Sequence, residues 1–270
     1  MRNKILLFLV LLCINLEVID CYYTNGCFEK HILLLIKKEI LLKYDKLVPS
    51  MYKTIGISNE DSIKNISENK RYIYNLKRLL LHEFCHYCGY LNNKNDIYLN
   101  IDGLINIKNE KNSGALKINE NICKINKIEK IFIKLFGPIG ESFIYGKNLL
   151  SDYRVEKDIN EAANFFYYFY FDLEINKEDL LLSDIIEKVY LFFEKNICEI
   201  ESIIEKELIN FKPNNVFKDI QFKENDQQDF FKEFNLICKV NLDKLEHFKI
   251  QLKNMIEEIN NNINSGKYNK

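Results

Sequence analysis

Apolar residues recur with helical spacing along most of the chain, and charged residues fill the positions between them. The clearest stripes predict helices over residues 27–48, 58–91, 128–136, 154–174, 178–209 and 226–262. Pro49 is expected to end the first of these helices, and Gly137, Pro138 and Gly140 to end the third. The pattern therefore predicts a mainly α fold.

Residues 96–119 follow a different pattern. Apolar and polar residues alternate from Ile97 to Ile101, which is typical of a half-buried strand, and Asp102-Gly103 is a turn signal. Alternation then resumes. We therefore expect a minor β-hairpin here, inserted into an otherwise helical domain.

The first residues predict export from the cell. A short basic start precedes an apolar run at 5–14 that is too short to span a bilayer, and polar residues follow at once. We interpret residues 1–21 as a signal peptide, 22–262 as a secreted helical domain and 263–270 as a flexible polar tail. Because no second apolar stretch of about 20 residues follows, no transmembrane segment is expected.

Cysteine usage agrees with this interpretation. An exported chain meets an oxidising compartment, where cysteines pair. Removal of the signal peptide leaves an even set of six: Cys27, Cys85, Cys88, Cys123, Cys198 and Cys238. They predict three disulfides in a disulfide-stapled helical bundle, with every connectivity still open.

Charge and aromatic content limit the expected partners. The net charge is −1 and no long basic block is present, so no nucleic acid partner is expected. The aromatic run at 165–171 surrounds its helix, which favours burial between helices. Its alternative role is an exposed surface that binds membranes.

One motif carries recognisable chemistry. His82 and His86 enclose Glu83 in an H-E-x-x-H pattern on a predicted helix. Residues 79–89 resemble the active helix of the zincin metallopeptidases. The resemblance implies a zinc cofactor bound by His82 and His86, with Glu83 as the general base that activates water.

The third zinc ligand stays open at this point. A downstream glutamate is expected in one zincin class, and the eligible residues are Glu141, Glu156 and Glu161. Helix geometry places both histidines opposite the apolar face and in line with Arg78, which indicates a solvated or interface face. Two alternatives follow: a structural metal held by His82, Cys85 and His86, or a helix stapled by disulfides from Cys85 and Cys88, with both histidines on the surface.

The whole chain resembles the small secreted proteins of malaria parasites, which are stored in micronemes or osmiophilic bodies. The resemblance rests on the leader, the bias towards lysine, asparagine and isoleucine, the six cysteines and the lack of an anchor. The gamete egress and sporozoite traversal protein family is the suggested relative. It implies a non-enzymatic protein that acts in egress, traversal or invasion by binding a protein partner or a membrane surface. A secreted zinc metallopeptidase and a structural subunit of a secreted complex are the alternatives.

Overall fold

The computed structural model describes most of the helical part of the chain. The described residues are 30–50, 68–92, 99–106, 112–117, 125–147, 152–172, 177–205, 231–238 and 245–269. The expected signal peptide at 1–21 lies outside them, as do Cys27 and Cys123.

Six helices and three short strands make up the described residues. In chain order they are α1 (30–47), α2 (Glu68–Tyr90), β1 (Leu99–Asn106), β2 (Asn112–Lys117), α3 (Lys127–Tyr145), α4 (Tyr153–Asp172), α5 (Glu178–Ile203), β3 (Phe231–Cys238) and α6 (Glu246–Asn264). The prediction of a mainly α fold is confirmed for this part of the chain.

Helix α3 lies at the centre of the core. It packs against α2, α4 and α5, while α6 packs against α5. Its aromatic side chains Phe132, Phe136 and Phe143 are fully buried, and Phe136 contacts Phe192 and Phe193 of α5. Burial of large apolar side chains is the main favourable term in folding, so α3 organises the helices around it.

The expectation that Gly137, Pro138 and Gly140 end a helix is wrong, because α3 continues through all three. A capping box at Asn126 and Glu129 starts α3, and Gly146, with φ of 98°, ends it. The two glycines in the middle are sites of close approach: a Cβ at either position would clash with a side chain of a neighbouring helix. Burial on every side thus offsets the low helix propensity of this stretch.

The strands lie beside α2. The order is β2-β1-β3, with both pairings antiparallel. The turn expected at Asp102-Gly103 is not formed, because both residues lie inside β1 and face partners in β2 and β3. Local alternation and the Asp-Gly pair were the signals here, and neither can show a distant third strand.

Two expectations about the last part of the chain are also wrong. Residues 231–238 form a strand instead of the start of the last helix, and α6 begins only at Glu246. The tail is not free either: Tyr268 is fully buried, and its hydroxyl donates a hydrogen bond of 2.8 Å to Asp184. The backbone N–H of Lys177 also donates to the carbonyl of Tyr268.

The described cysteines do not show the expected staples. Cys85 and Cys88 are buried free thiols on α2, whereas Cys198 is exposed on α5. Cys238 belongs to β3. Burial raises the pKa of both thiols on α2, so they stay protonated and poorly reactive. The disulfide connectivity of the chain stays a prediction.

The aromatic run is largely buried, as the sequence suggested. Phe166, Tyr167 and Phe169 lie in the core, whereas Tyr168 is 61% exposed. Among the described helices, none combines the length and apolar character that a bilayer crossing requires.

Candidate metal centre

Three helices bring a set of polar side chains together in the core. On each helix the residues are one turn apart, so they form a row on one face. The rows are Arg78, His82 and His86 on α2; Ile133, Gly137 and Glu141 on α3; and Arg154 and Asp158 on α4.

Three ligand atoms converge where these rows meet. Nε2 of His82 lies 3.0 Å from Nε2 of His86 and 3.0 Å from Oδ2 of Asp158. Nε2 of His86 lies 3.2 Å from the same oxygen. An ion bound about 2.1 Å from each atom fits over such a triangle, and two imidazole nitrogens with one carboxylate oxygen are a common zinc ligand set.

The orientation of His86 is set by the backbone of α3. Its Nδ1 donates a hydrogen bond of 2.6 Å to the carbonyl of Ile133, which leaves the lone pair of Nε2 for the ligand triangle. Gly137 lies directly beside this nitrogen, and a Cβ there would clash with the imidazole ring. The glycine therefore provides the space that the ring occupies.

His82 is oriented by a buried carboxylate. Its Nδ1 donates to Oε2 of Glu141 over 2.7 Å, and both side chains are almost fully excluded from solvent. The other oxygen of Glu141 accepts hydrogen bonds from Arg78 at 2.5 Å and Arg154 at 2.6 Å. Arg78 also donates to Asp152, just before α4.

The electrostatics favour ionised carboxylates and a protonated His82 in the metal-free protein. Burial and the charge of Arg154 lower the pKa of His82, but hydrogen bonds to Asp158 and Glu141 outweigh both and raise it to about 9. Burial raises the pKa of Asp158, yet its close contacts with His82 and His86 hold it well below its usual range. The pKa of Glu141 is also low, because Arg154, Arg78 and His82 overcome the effect of its burial.

Glu83, the second residue of the motif, is buried on a neighbouring side of α2. Only 3% of it is exposed. A methyl group on Gly114 of β2 would lie 2.9 Å from its Oε1. The carboxylate thus lies between the motif helix and β2.

The two histidines were expected on a solvated or interface face, and the structure places them at an interface between helices, away from solvent. His82 is 1% exposed and His86 is 6% exposed, and Arg78 is buried with them. The helical wheel showed a polar face correctly, but α3 and α4 cover it with polar groups of their own. The unfavourable charge of Arg78 is balanced by Glu141 and Asp152.

Sequence reasoning missed the third ligand. Of the three glutamates considered, Glu141 bonds the far nitrogen of His82, Glu156 pairs with Lys37 and Glu161 pairs with Lys134. The third side chain that converges with the two histidines is Asp158 instead. The sequence shows that Asp158 lies one turn after Arg154. That spacing points to the cluster only when the packing of α4 on α3 is known.

The alternative ligand Cys85 is not part of the triangle. Its Sγ faces Gly140 and Phe193, in the apolar contact between α2, α3 and α5. The thiol therefore packs in the core, and the set that converges in the described residues is His82, His86 and Asp158.

The centre reaches the surface along α3 and α4. The side chains of Asp158 and Lys134 keep 13% and 27% of their exposure, and Lys134 lies 3.4 Å from Oδ1 of Asp158. The cluster is therefore incompletely buried at this edge. Comparisons of the chain with protein-family models, curated proteins and solved structures found no match, so functional conclusions depend on this geometry.

Proposed function

We propose that the chain is a zinc-dependent peptidase whose metal is held by His82, His86 and Asp158. The convergence of their three ligand atoms within 3.2 Å of one another carries the proposal. Chance seldom buries two histidines and an aspartate with the correct atoms facing each other, because buried polar groups are costly unless they are paired.

The number of ligands favours a catalytic centre. Structural zinc sites are usually closed by four protein ligands, whereas catalytic sites use three and keep one position for water or substrate. Within the described ranges, three side chains form the cluster. Zinc bound there would lower the pKa of a coordinated water and polarise a carbonyl group.

Glu83 is the residue that distinguishes hydrolysis from simple metal binding. It follows the first ligand in the chain and is itself buried. In H-E-x-x-H enzymes a glutamate at this position accepts the proton of the attacking water and later transfers it to the leaving amine. We therefore assign it the role of general base.

The decisive variant is Glu83→Gln in the zinc-loaded full chain, assayed on a mixture of fluorogenic peptides. Loss of a general base is expected to lower the rate by about 100-fold or more, while zinc content stays unchanged. Glu129→Gln is the matched control, because Glu129 is a similarly buried glutamate in the capping box of α3, where glutamine also serves. Full activity of the Glu83→Gln protein, or no zinc-dependent cleavage by the wild type, would contradict the proposal.

The secreted, non-enzymatic role stays a separate prediction. The prediction of a membrane-binding surface in the aromatic run loses support, because Phe166 and Phe169 are buried. Among residues 166–169, the exposed ring is that of Tyr168. Export and release from a secretory organelle concern residues 1–21, which lie outside the described ranges. Binding of a liposome or of a defined protein partner by the Glu83→Gln protein would support this role independently of hydrolysis.

A further inference from the structure

We infer that Arg78, Glu141 and Arg154 form a positioning clamp that sets two of the three metal ligands. The inference rests on the proposed metal centre and adds a function for residues that do not touch the ion. None of the three side chains supplies an atom to the ligand triangle. Glu141 is hydrogen-bonded to His82, and Arg78 and Arg154 are hydrogen-bonded to Glu141.

The clamp holds His82 directly. Glu141 accepts the Nδ1 proton of His82, so that the ring presents Nε2 towards His86 and Asp158. Metal-binding imidazoles are commonly fixed by a carboxylate in this way. What is specific here is that the carboxylate is itself fully buried and fixed by two guanidinium groups.

The clamp holds Asp158 through its helix. Arg154 lies one turn before Asp158 on α4, and its Nη2 bonds Oε1 of Glu141 on α3. Arg78 adds a second tie, because it bonds both Glu141 and Asp152. The start of α4 is thereby fixed to α2 and α3, and this fixes where Asp158 enters the triangle.

The arginines also determine the charge of Glu141. An unpaired buried carboxylate would carry a large desolvation cost. Two charge-assisted hydrogen bonds keep it an acceptor. The two arginines are therefore balanced by Glu141 and Asp152, and this pairing serves the orientation of His82.

The test is the zinc affinity of Glu141→Gln, measured by competition with a chromogenic chelator at a temperature where circular dichroism shows the variant folded. We expect the dissociation constant for zinc to rise about 10-fold to 100-fold although all three ligands remain. Glu156→Gln is the control, because it removes a half-exposed carboxylate of α4 that pairs with Lys37 outside the cluster. Its zinc affinity is expected to match the wild type.

The outcomes separate the clamp from the metal centre. If the wild type binds no zinc, the proposed function fails. If the wild type binds zinc and the folded Glu141→Gln protein binds it equally well, the clamp alone is wrong, since a purely structural role would change stability and leave affinity intact.

A second measurement avoids any dependence on folding of the variant. In the zinc-loaded wild type, long-range ¹H–¹⁵N spectra of the histidine rings report which nitrogen carries the proton. The clamp predicts a slowly exchanging Nδ1 proton on His82 with zinc at Nε2. Zinc at Nδ1 of His82, or a rapidly exchanging Nδ1 proton, would overturn it.

Discussion

Each histidine of the cluster has its metal-facing nitrogen selected by the bond of the opposite nitrogen. His86 is fixed by the carbonyl of Ile133, and His82 by the carboxylate of Glu141. Both rings are buried, so they keep one orientation before any ion binds. The ligands are therefore preorganised, and little side-chain entropy remains to be lost on binding.

The first prediction concerns pH. In the metal-free protein Nε2 of His82 carries a proton that is donated to Oδ2 of Asp158, and the pKa of His82 is raised from 6.5 to about 9. Zinc must displace this proton, so its apparent affinity should rise about tenfold per pH unit from neutral pH towards pH 9.

The raised pKa of His82 also determines how the stability of the metal-free protein depends on pH. Because the pKa of His82 is higher in the folded state, its contribution to stability is complete below pH 6.5 and is lost as the pH rises towards 9. Zinc titrations and urea unfolding of the metal-free protein across this interval measure both effects. A zinc affinity that is constant over this interval would contradict the proton-exchange account.

The second prediction tests the space beside His86. Gly137→Ala introduces a methyl group that clashes with the imidazole ring, so it should displace Nε2 and weaken zinc binding by at least about tenfold. Gly140→Ala is the comparison, because its methyl group meets Cys85 and Phe193 instead. Overpacking should cost either variant about 1–3 kcal/mol of stability. Equal zinc affinity in the two variants would show that Gly137 has no special relation to the centre.

The sequence revealed part of this site. The spacing of His82, Glu83 and His86 predicts two ligands and a base, because residues one turn apart share a helix face. It named Glu141 only as one of three eligible ligands and did not name Asp158, because the distance of both residues from the motif depends on how α3 and α4 cross α2. That crossing depends on glycines whose role the sequence presented as helix breaking.

At the scale of the helices, the sequence pattern was most informative about where they lie and least informative about what covers their polar faces. Amphipathic stripes located all six described helices. The polar face of α2 was interpreted as a solvated or interface face, and it is an interface, buried against polar groups of α3 and α4. Periodicity measures the contrast between two faces of a helix, and it does not measure what covers the polar one.

The third prediction concerns the contact between α5 and the residues after α6. Tyr268 is fully buried and bonds Asp184 near the start of α5. Tyr268→Ala should lower the free energy of unfolding by about 3 kcal/mol, because it removes a buried aromatic ring and leaves a cavity.

The matched control for this contact is Tyr168→Ala, since Tyr168 is 61% exposed on α4. Chemical denaturation of both variants gives the comparison. The two variants should differ by more than about 2 kcal/mol. Similar stabilities would mean that the end of the chain does not close the helical core.

At the scale of the whole molecule, the helices form one core with a polar cluster enclosed in it. The fold class follows from the apolar pattern, because helical periodicity extends over most of the chain. The packing around α3 does not follow from it, since most of α3 is buried and its contacts are set by the size and shape of its side chains. Export, disulfide pairing and the partner stay predictions of the sequence.

The most direct test of the central claim is the zinc content of the purified full chain after dialysis, measured by plasma mass spectrometry beside Asp158→Asn. We expect about one zinc ion per wild-type chain and a large loss in the variant, because the substituted amide is a poor zinc ligand. Glu83→Gln should keep its zinc. A wild type that holds no zinc, or an Asp158→Asn protein that holds as much as the wild type, would contradict the metal centre described here.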